Sequence, residues 1–307
     1  MLLDLHCHGA LGANFGTDEA TSRRAAAYHR SQGAYVVASL VSAAPDRLEQ
    51  QVRVLAPLVA DGTILGIHLE GPCLAHDRRG AHDPGALIDP DCALVDRLAD
   101  AVAEAGAPGA IVHWTFAPEL PGAAAFAKAL VRHGIRPAIG HTAASAAQVR
   151  TAIDLALDAG SGPPLITHLF NGMPPLHHRD GGPVAAALAA AAQGEVIVEL
   201  IADGVHVAPE VVGMVFDLLG PEHIALVSDA MSATGLGDGD YLLGELAVRV
   251  SEGVARLVDG GSIAGSTSSL PTCRDWAIAT AGLDAELADQ AATATPGVVL
   301  GSRLGLV

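Results

Sequence analysis

The chain has 307 residues and a formal net charge of −17, and half of it is hydrophobic with only 3% aromatics. A surface this acidic repels phosphate backbones and anionic lipid, which sets nucleic acid and membrane aside as partners. No run reaches the ~18–20 charge-free apolar residues of a membrane span.

The segment after Met1, LLDLHCHG, is too short and too polar for a signal peptide. The four cysteines, Cys7, Cys73, Cys92 and Cys273, form no CxxC pair and read as reduced thiols of a cytoplasmic protein. Runs rich in β-formers recur at 2–6, 34–39, 64–70, 110–116, 135–141, 165–168, 196–202 and 223–229. Ala-rich stretches at 46–61, 91–106, 122–134, 145–160 and 209–220 lie between them, several opening on Asp or Ser and closing on Gly as capped helices do. Strand–helix alternation of this kind predicts parallel α/β architecture, and eight repeats match a (β/α)8 barrel of ~250 residues. The segment 238–258, DGDYLLGELAVRVSEGVARLV, breaks the alternation. It is read as an inserted hairpin of two or three antiparallel strands, turning at Gly-Asp and at Glu-Gly. A helix over 267–282 follows, and 1–307 is taken as one domain.

The chemistry lies in what ends each strand. The first ends in His6-Cys7-His8, where alternation puts the two imidazoles on one face and Cys7 on the other. The third ends in Glu70, the fifth in His141, the sixth in His168 and the eighth in Asp229; the seventh runs into Asp203-Gly204-Val205-His206. In a barrel these ends share one rim, and four His with two carboxylates there form a metal-site inventory. Each alone has an ordinary explanation: a hydrogen-bonded edge His, a Glu capping a turn, an Asp capping a helix. His68 and His113 are expected as core histidines. His82 stands twelve residues beyond Glu70 in GAHDPG.

The constellation resembles the amidohydrolase superfamily, whose members often bridge two ions with a carboxylated lysine on strand 4. The only lysine here, Lys128, falls in a predicted helix, so Glu70 is expected to be the bridging or ligating anion. HLEGP, GHT, THLFNGM, HHR, DGVHV, SDAM and AGST, in this order, resemble the N-acetylglucosamine-6-phosphate deacetylases over positions 6–270.

That resemblance implies Glu70, His141 and His168 around a principal divalent ion, zinc or iron, with His6 and His8 at the place where some members hold a second and others do not, so one or two ions are expected. It implies His82 polarising the amide carbonyl and Asp229 as acid/base beside the metal. Asn171, Gly172, Ala81 and the segment Ile263-Ala264-Gly265 would contact the phosphorylated amino sugar. Arg179 and His206 would bind its phosphate from a neighbouring subunit of a homodimer. The sequence departs from the family at Asn171-Gly172-Met173, where Ala is usual in the middle, and at Asp180-Gly181-Gly182. The flanking β-sandwich of the family is expected to be reduced or absent. Alternatives are another amidohydrolase acting on a cyclic amide or nucleobase, or a catalytically dead barrel.

Overall fold

The computed structural model describes residues 1–301; the last positions of the expected 1–307 domain lie outside the described residues. Eight strands, β1 (Leu2–Cys7), β2 (Ala34–Val41), β3 (Gly66–Glu70), β4 (Ile111–Phe116), β5 (Arg136–Ile139), β6 (Leu165–Ile166), β7 (Ile197–Ile201) and β8 (Ile224–Val227), pair in parallel and in sequence order. The last strand meets the first where Asp229 N–H donates to His6 O (2.9 Å) and His8 N–H to Ala230 O (2.7 Å), completing the ring at its mouth.

Helices α1 (Glu19–Ser31), α2 (Pro45–Ala60), α3 (Cys92–Glu104), α4 (Ala123–Arg132), α5 (Ala146–Asp158), α6 (Gly182–Ala191) and α7 (Pro209–Leu219) fill the crossovers. Local sequence sets their starts. Asp18 and Asp91 accept from backbone N–H groups in the first turns of α1 and α3, and Ser145 with Gln148 forms a full capping box on α5.

With so few aromatics, the barrel interior is filled by branched aliphatics. Leu3, Leu5, Val37, Leu65, Val112, Ile197, Ile201 and Val227 form one buried cluster with Val299 and Leu300. Each such side chain contributes ~1.5–3 kcal/mol on burial. The rare rings are concentrated: Trp114 and Phe116 on β4 pack against Phe126 on α4. Trp114 Nε1 also donates to Gly71 O (2.7 Å), tying the turn after Glu70 to the shell.

Three expectations need correction. The strands ending at His141, His168 and Asp229 stop earlier than expected, because those three residues leave the extended conformation at φ +47°, +26° and +51°. The inserted segment is a three-stranded antiparallel sheet, β9 (Gly239–Leu243), β10 (Leu246–Ser251) and β11 (Val254–Leu257). Its second turn is at Glu252-Gly253 as expected, but the first falls at Gly244-Glu245 and not at Gly-Asp. The helix near the end is shorter, α8 (Leu270–Ala279), and α9 (Ala285–Ala291) and α10 (Ala294–Leu300) follow it. The inserted sheet packs Leu243, Val248, Val250 and Ala255 onto Ala81, Met231, Ala233 and Ala264, so it covers one side of the barrel mouth.

Candidate metal centre and active-site cavity

At the mouth, one carboxylate gathers five imidazoles. Glu70 Oε1 lies 3.0 Å from His141 Nε2 and 2.8 Å from His168 Nε2. Glu70 Oε2 lies 3.2 Å from His8 Nε2 and 3.6 Å from His6 Nε2. Asp229 Oδ1 faces the second pair, 3.2 Å from His8 Nε2 and 3.6 Å from His6 Nε2. The pairing register slips between Asp4 and Cys7. That slip changes the phase of β1, so Leu5 stays in the interior cluster while His6 turns into the polar one. Gly71, at φ +88°, lets the chain turn directly after Glu70; a Cβ there would stand 2.2 Å from Ser42 Oγ.

Hydrogen bonds on the far side of three of these rings settle whether Nδ1 carries a proton. His6 Nδ1 faces the Glu199 carboxylate (3.0 Å), and His141 Nδ1 faces the Arg78 carbonyl (2.7 Å). Both partners only accept, so both Nδ1 atoms carry a proton, and Nε2 is the atom each ring turns toward Glu70. His82 is the reverse. Its Nδ1 accepts from Ser42 N–H (3.1 Å), so its Nε2, 3.3 Å from Glu70 Oε2, carries a proton.

The donor set fits a divalent cation. His6 and His8 bring their Nε2 atoms to 3.1 Å, and so do His141 and His168. Ring nitrogens that close, gathered on shared carboxylate oxygens, are the donor types that suit a divalent cation. The ligand atoms of His6, His8 and Glu70 lie within 4.8 Å of one another; those of Glu70, His82 and His141 are as close, but the Nε2 proton makes His82 a hydrogen-bond donor there.

The electrostatics agree. Burial alone would raise the Glu70 carboxyl, but His6, His82 and the hydrogen bonds from His141 and His168 hold it well below the usual carboxylate range. Burial opposes charge on His6, yet Glu70 and Glu199 hold its imidazole well above the ordinary value; Asp229 and Glu70 raise His8 against the same opposition. Asp229 is lowered because His8 and His6 outweigh its burial. Burial, only partly offset by Glu70, pushes His82 down to about 4, so it stays neutral.

A cavity of about 300 Å³ opens over this centre. Its walls include His8, Glu70, Ala81, His82, His141, His168, Asp229, Asn171, Gly172, His206, Ile263 and Gly265. These bring together every sequence-derived ligand candidate except His6, which lies buried behind the wall, and most of the substrate-contact candidates. Ala264 is fully buried behind the wall. Asn171 Nδ2 is engaged by the His168 and Leu169 carbonyls (3.2 and 3.3 Å).

His206 lines the cavity of its own chain, so the expected cross-subunit position does not hold for it. Its Nδ1 meets Asp203 Oδ2 at 2.8 Å, and Ser266 Oγ donates to the same oxygen at 2.8 Å. Burial opposes a charge on His206, and Asp203 raises it. Arg179 is not on the wall; it is exposed and meets His178 Nε2 at 3.0 Å. His68 is a core residue, bonded to Ser39 Oγ (2.9 Å) and Thr115 Oγ1 (2.8 Å). His113 is fully buried and stacks on it. Cys7 points out of the barrel toward His29 Nε2 (3.2 Å).

Sequence reasoning passed over Glu199, Asp4, Leu243 and Ser262 and gave Asp203 no role. Asp4 Oδ1 accepts from His6 N–H and Ser228 N–H (both 3.2 Å), holding the first ligand strand to the last. A signal was available for two of them. A lone acidic residue inside IVELI or LLDL is anomalous in a buried parallel strand.

Fold and centre together define a (β/α)8 barrel with a polyhistidine–carboxylate metal site at its mouth. No family model matches the chain. It is 33% identical over 88% of its length to the N-acetylglucosamine-6-phosphate deacetylase of Vibrio furnissii, of which it spans 65%. It is 32% identical over 87% of its length to the N-acetylgalactosamine-6-phosphate deacetylase of Escherichia coli, covering 68% of that protein. A point variant of the Mycobacterium smegmatis N-acetyl-D-glucosamine-6-phosphate deacetylase, solved in complex with N-acetyl-D-glucosamine-6-phosphate, superposes with a TM-score of 0.89 at 41% identity. That match covers 98% of this chain and 77% of the other. The chain belongs to the N-acetylglucosamine-6-phosphate deacetylase family.

Proposed function

We propose that the protein hydrolyses the acetamide of N-acetylglucosamine 6-phosphate to acetate and glucosamine 6-phosphate, with divalent metal held at Glu70. The carrying observation is that Glu70 divides its two oxygens between His141–His168 and His6–His8. Glu70 with His141 and His168 would hold one divalent ion, and His6, His8 and Asp229 would hold a second where two are bound. Imidazole and carboxylate donors suit zinc and leave iron possible. A bound divalent cation lowers the pKa of coordinated water towards ~7 and polarises an amide carbonyl.

The residues supply the rest. Asp229, kept ionised by His8 and His6, takes the proton from the attacking water. His82, a neutral Nε2–H donor fixed by Ser42, hydrogen-bonds the carbonyl oxygen as charge develops on it. Asp229 then returns its proton to the leaving glucosamine nitrogen. Asn171, Gly172, Ala81 and the Ile263–Gly265 segment frame the sugar.

Among the described residues the cavity wall carries no Arg or Lys, so the phosphate in a protein of net charge −17 needs placed cations. His206 is one, backed by Asp203. Arg179, delivered from a second copy of the chain, is the other, which makes the working form a homodimer. The four cysteines are all unpaired, in keeping with action in the cytoplasm.

The test is metal analysis of the purified protein together with acetate release from N-acetylglucosamine 6-phosphate, its galactosamine epimer and the unphosphorylated sugars. Metal-dependent release from a phosphorylated sugar supports the reading. Release from a cyclic amide in place of these substrates overturns it.

A further inference from the structure

We infer that Glu199 is a positioning residue of the metal centre, setting the presentation of a ligand from each of its two pairs. This rests on the metal reading above. Glu199 lies on the interior face of β7, between Ile197 and Ile201 of the aliphatic cluster, and is fully buried. A carboxylate in such a place is strongly disfavoured unless something needs it. It does not line the cavity and so does not touch substrate.

Its Oε2 faces His6 Nδ1 at 3.0 Å and accepts from His168 N–H at 3.3 Å. Its own carbonyl accepts from Leu169 N–H at 2.8 Å. One side chain therefore commits His6 to the tautomer that frees Nε2. It also clamps the backbone of His168, which sits at φ +26° where a non-glycine residue needs support. The two residues come from opposite pairs around Glu70, so Glu199 fixes the spacing between the pairs from below.

The probe is cobalt(II) added to the metal-free full-length chain, followed by its visible d–d bands and by competition with a chelator. Glu199→Asp keeps the charge but withdraws the acceptor; it is expected to bind cobalt about ten- to a hundredfold more weakly, with altered bands. Glu199→Gln keeps the reach and is expected to lose less than Glu199→Asp. In a His6→Ala background the Glu199→Asp loss is expected to shrink, since part of what Glu199 positions is gone. Parent-like affinity and bands in Glu199→Asp, or an equal loss in both backgrounds, overturn the inference while leaving the metal centre intact. A parent chain that takes up no cobalt overturns the metal reading itself, and this inference with it.

Discussion

His82 and His141 stand edge to face, with ring centroids 4.8 Å apart and planes at 75°, and they carry opposite tautomers. The Arg78 carbonyl takes the Nδ1 proton of His141, and the Ser42 N–H gives one to Nδ1 of His82. Two neighbouring imidazoles are thereby committed to different work, one to lone-pair donation and one to hydrogen-bond donation. His82→Ala is expected to leave metal content unchanged and to lower kcat about a hundred- to a thousandfold, the usual effect of removing one oxyanion donor. His141→Ala is expected to lose metal. Elemental analysis and kcat on the same preparations separate the two.

Asp229→Asn removes the proton acceptor but keeps the side chain's shape. With Glu70, His141 and His168 intact, the variant should retain metal, and turnover should fall by ~10²–10⁴-fold. Substrate affinity measured by calorimetry should change little. A variant with normal turnover would falsify the acid/base role.

Arg179 is exposed and away from the cavity of its own chain, so its role is a question of geometry between subunits. Arg179→Ala should raise KM for the phosphorylated sugar by about ten- to a hundredfold, in keeping with ~1.5–3 kcal/mol for a charged hydrogen bond. The unphosphorylated sugar should be unaffected. Mixing inactive Asp229→Asn chains with Arg179→Ala chains should restore activity, because a mixed dimer rebuilds one complete site. No restoration on mixing places Arg179 outside the neighbour's site.

Gly172 has φ +63°, and a Cβ there would lie 2.8 Å from His141 Nδ1. Gly172→Ala therefore acts twice: on the backbone, at about 1–2 kcal/mol, and on the ring that must keep its bond to Arg78. Melting temperature and chelator-measured metal affinity should fall together. A drop in stability with unchanged affinity would show that the His141 ring yields without leaving its place.

His29 is fully buried between Cys7 Sγ and the Gly9 carbonyl, and burial depresses it to about 4. The unfolded chain takes up its proton near 6.5, whereas the folded one resists until about 4. Stability on this account is full above pH 6.5 and is lost as pH falls from 6.5 to 4, by up to ~3 kcal/mol at ~1.4 kcal/mol per pH unit. His29→Asn should flatten that part of the urea-measured stability profile. An unchanged slope would mean that the proton is taken up elsewhere.

Much of the site is legible in the residues. Asp, Ser and Gly at helix ends mark the repeats, and imidazoles or carboxylates closing five strands mark the rim, because capping and strand alternation are short-range rules. The single lysine in α4 removes the usual bridge and leaves Glu70 in its place. The ends of β5, β6 and β8 were misplaced for a reason of the same kind. Positive φ at His141, His168 and Asp229 is held by neighbours distant in sequence, such as Glu199, which accepts from the His168 N–H. No local pattern encodes it.

The sequence by itself determined which residues can bind metal and the order in which they arrive, since strand number and side-chain chemistry need no partner to be read. Only the folded chain decided how each is used. It set which ring nitrogen of His6, His82 and His141 carries the proton, made Glu199 the support beneath two ligands, placed His206 on its own cavity wall and left Arg179 outside. Those outcomes depend on contacts such as His168 to Glu70, 98 positions apart. They exist only once barrel closure has brought the strand ends within hydrogen-bond reach.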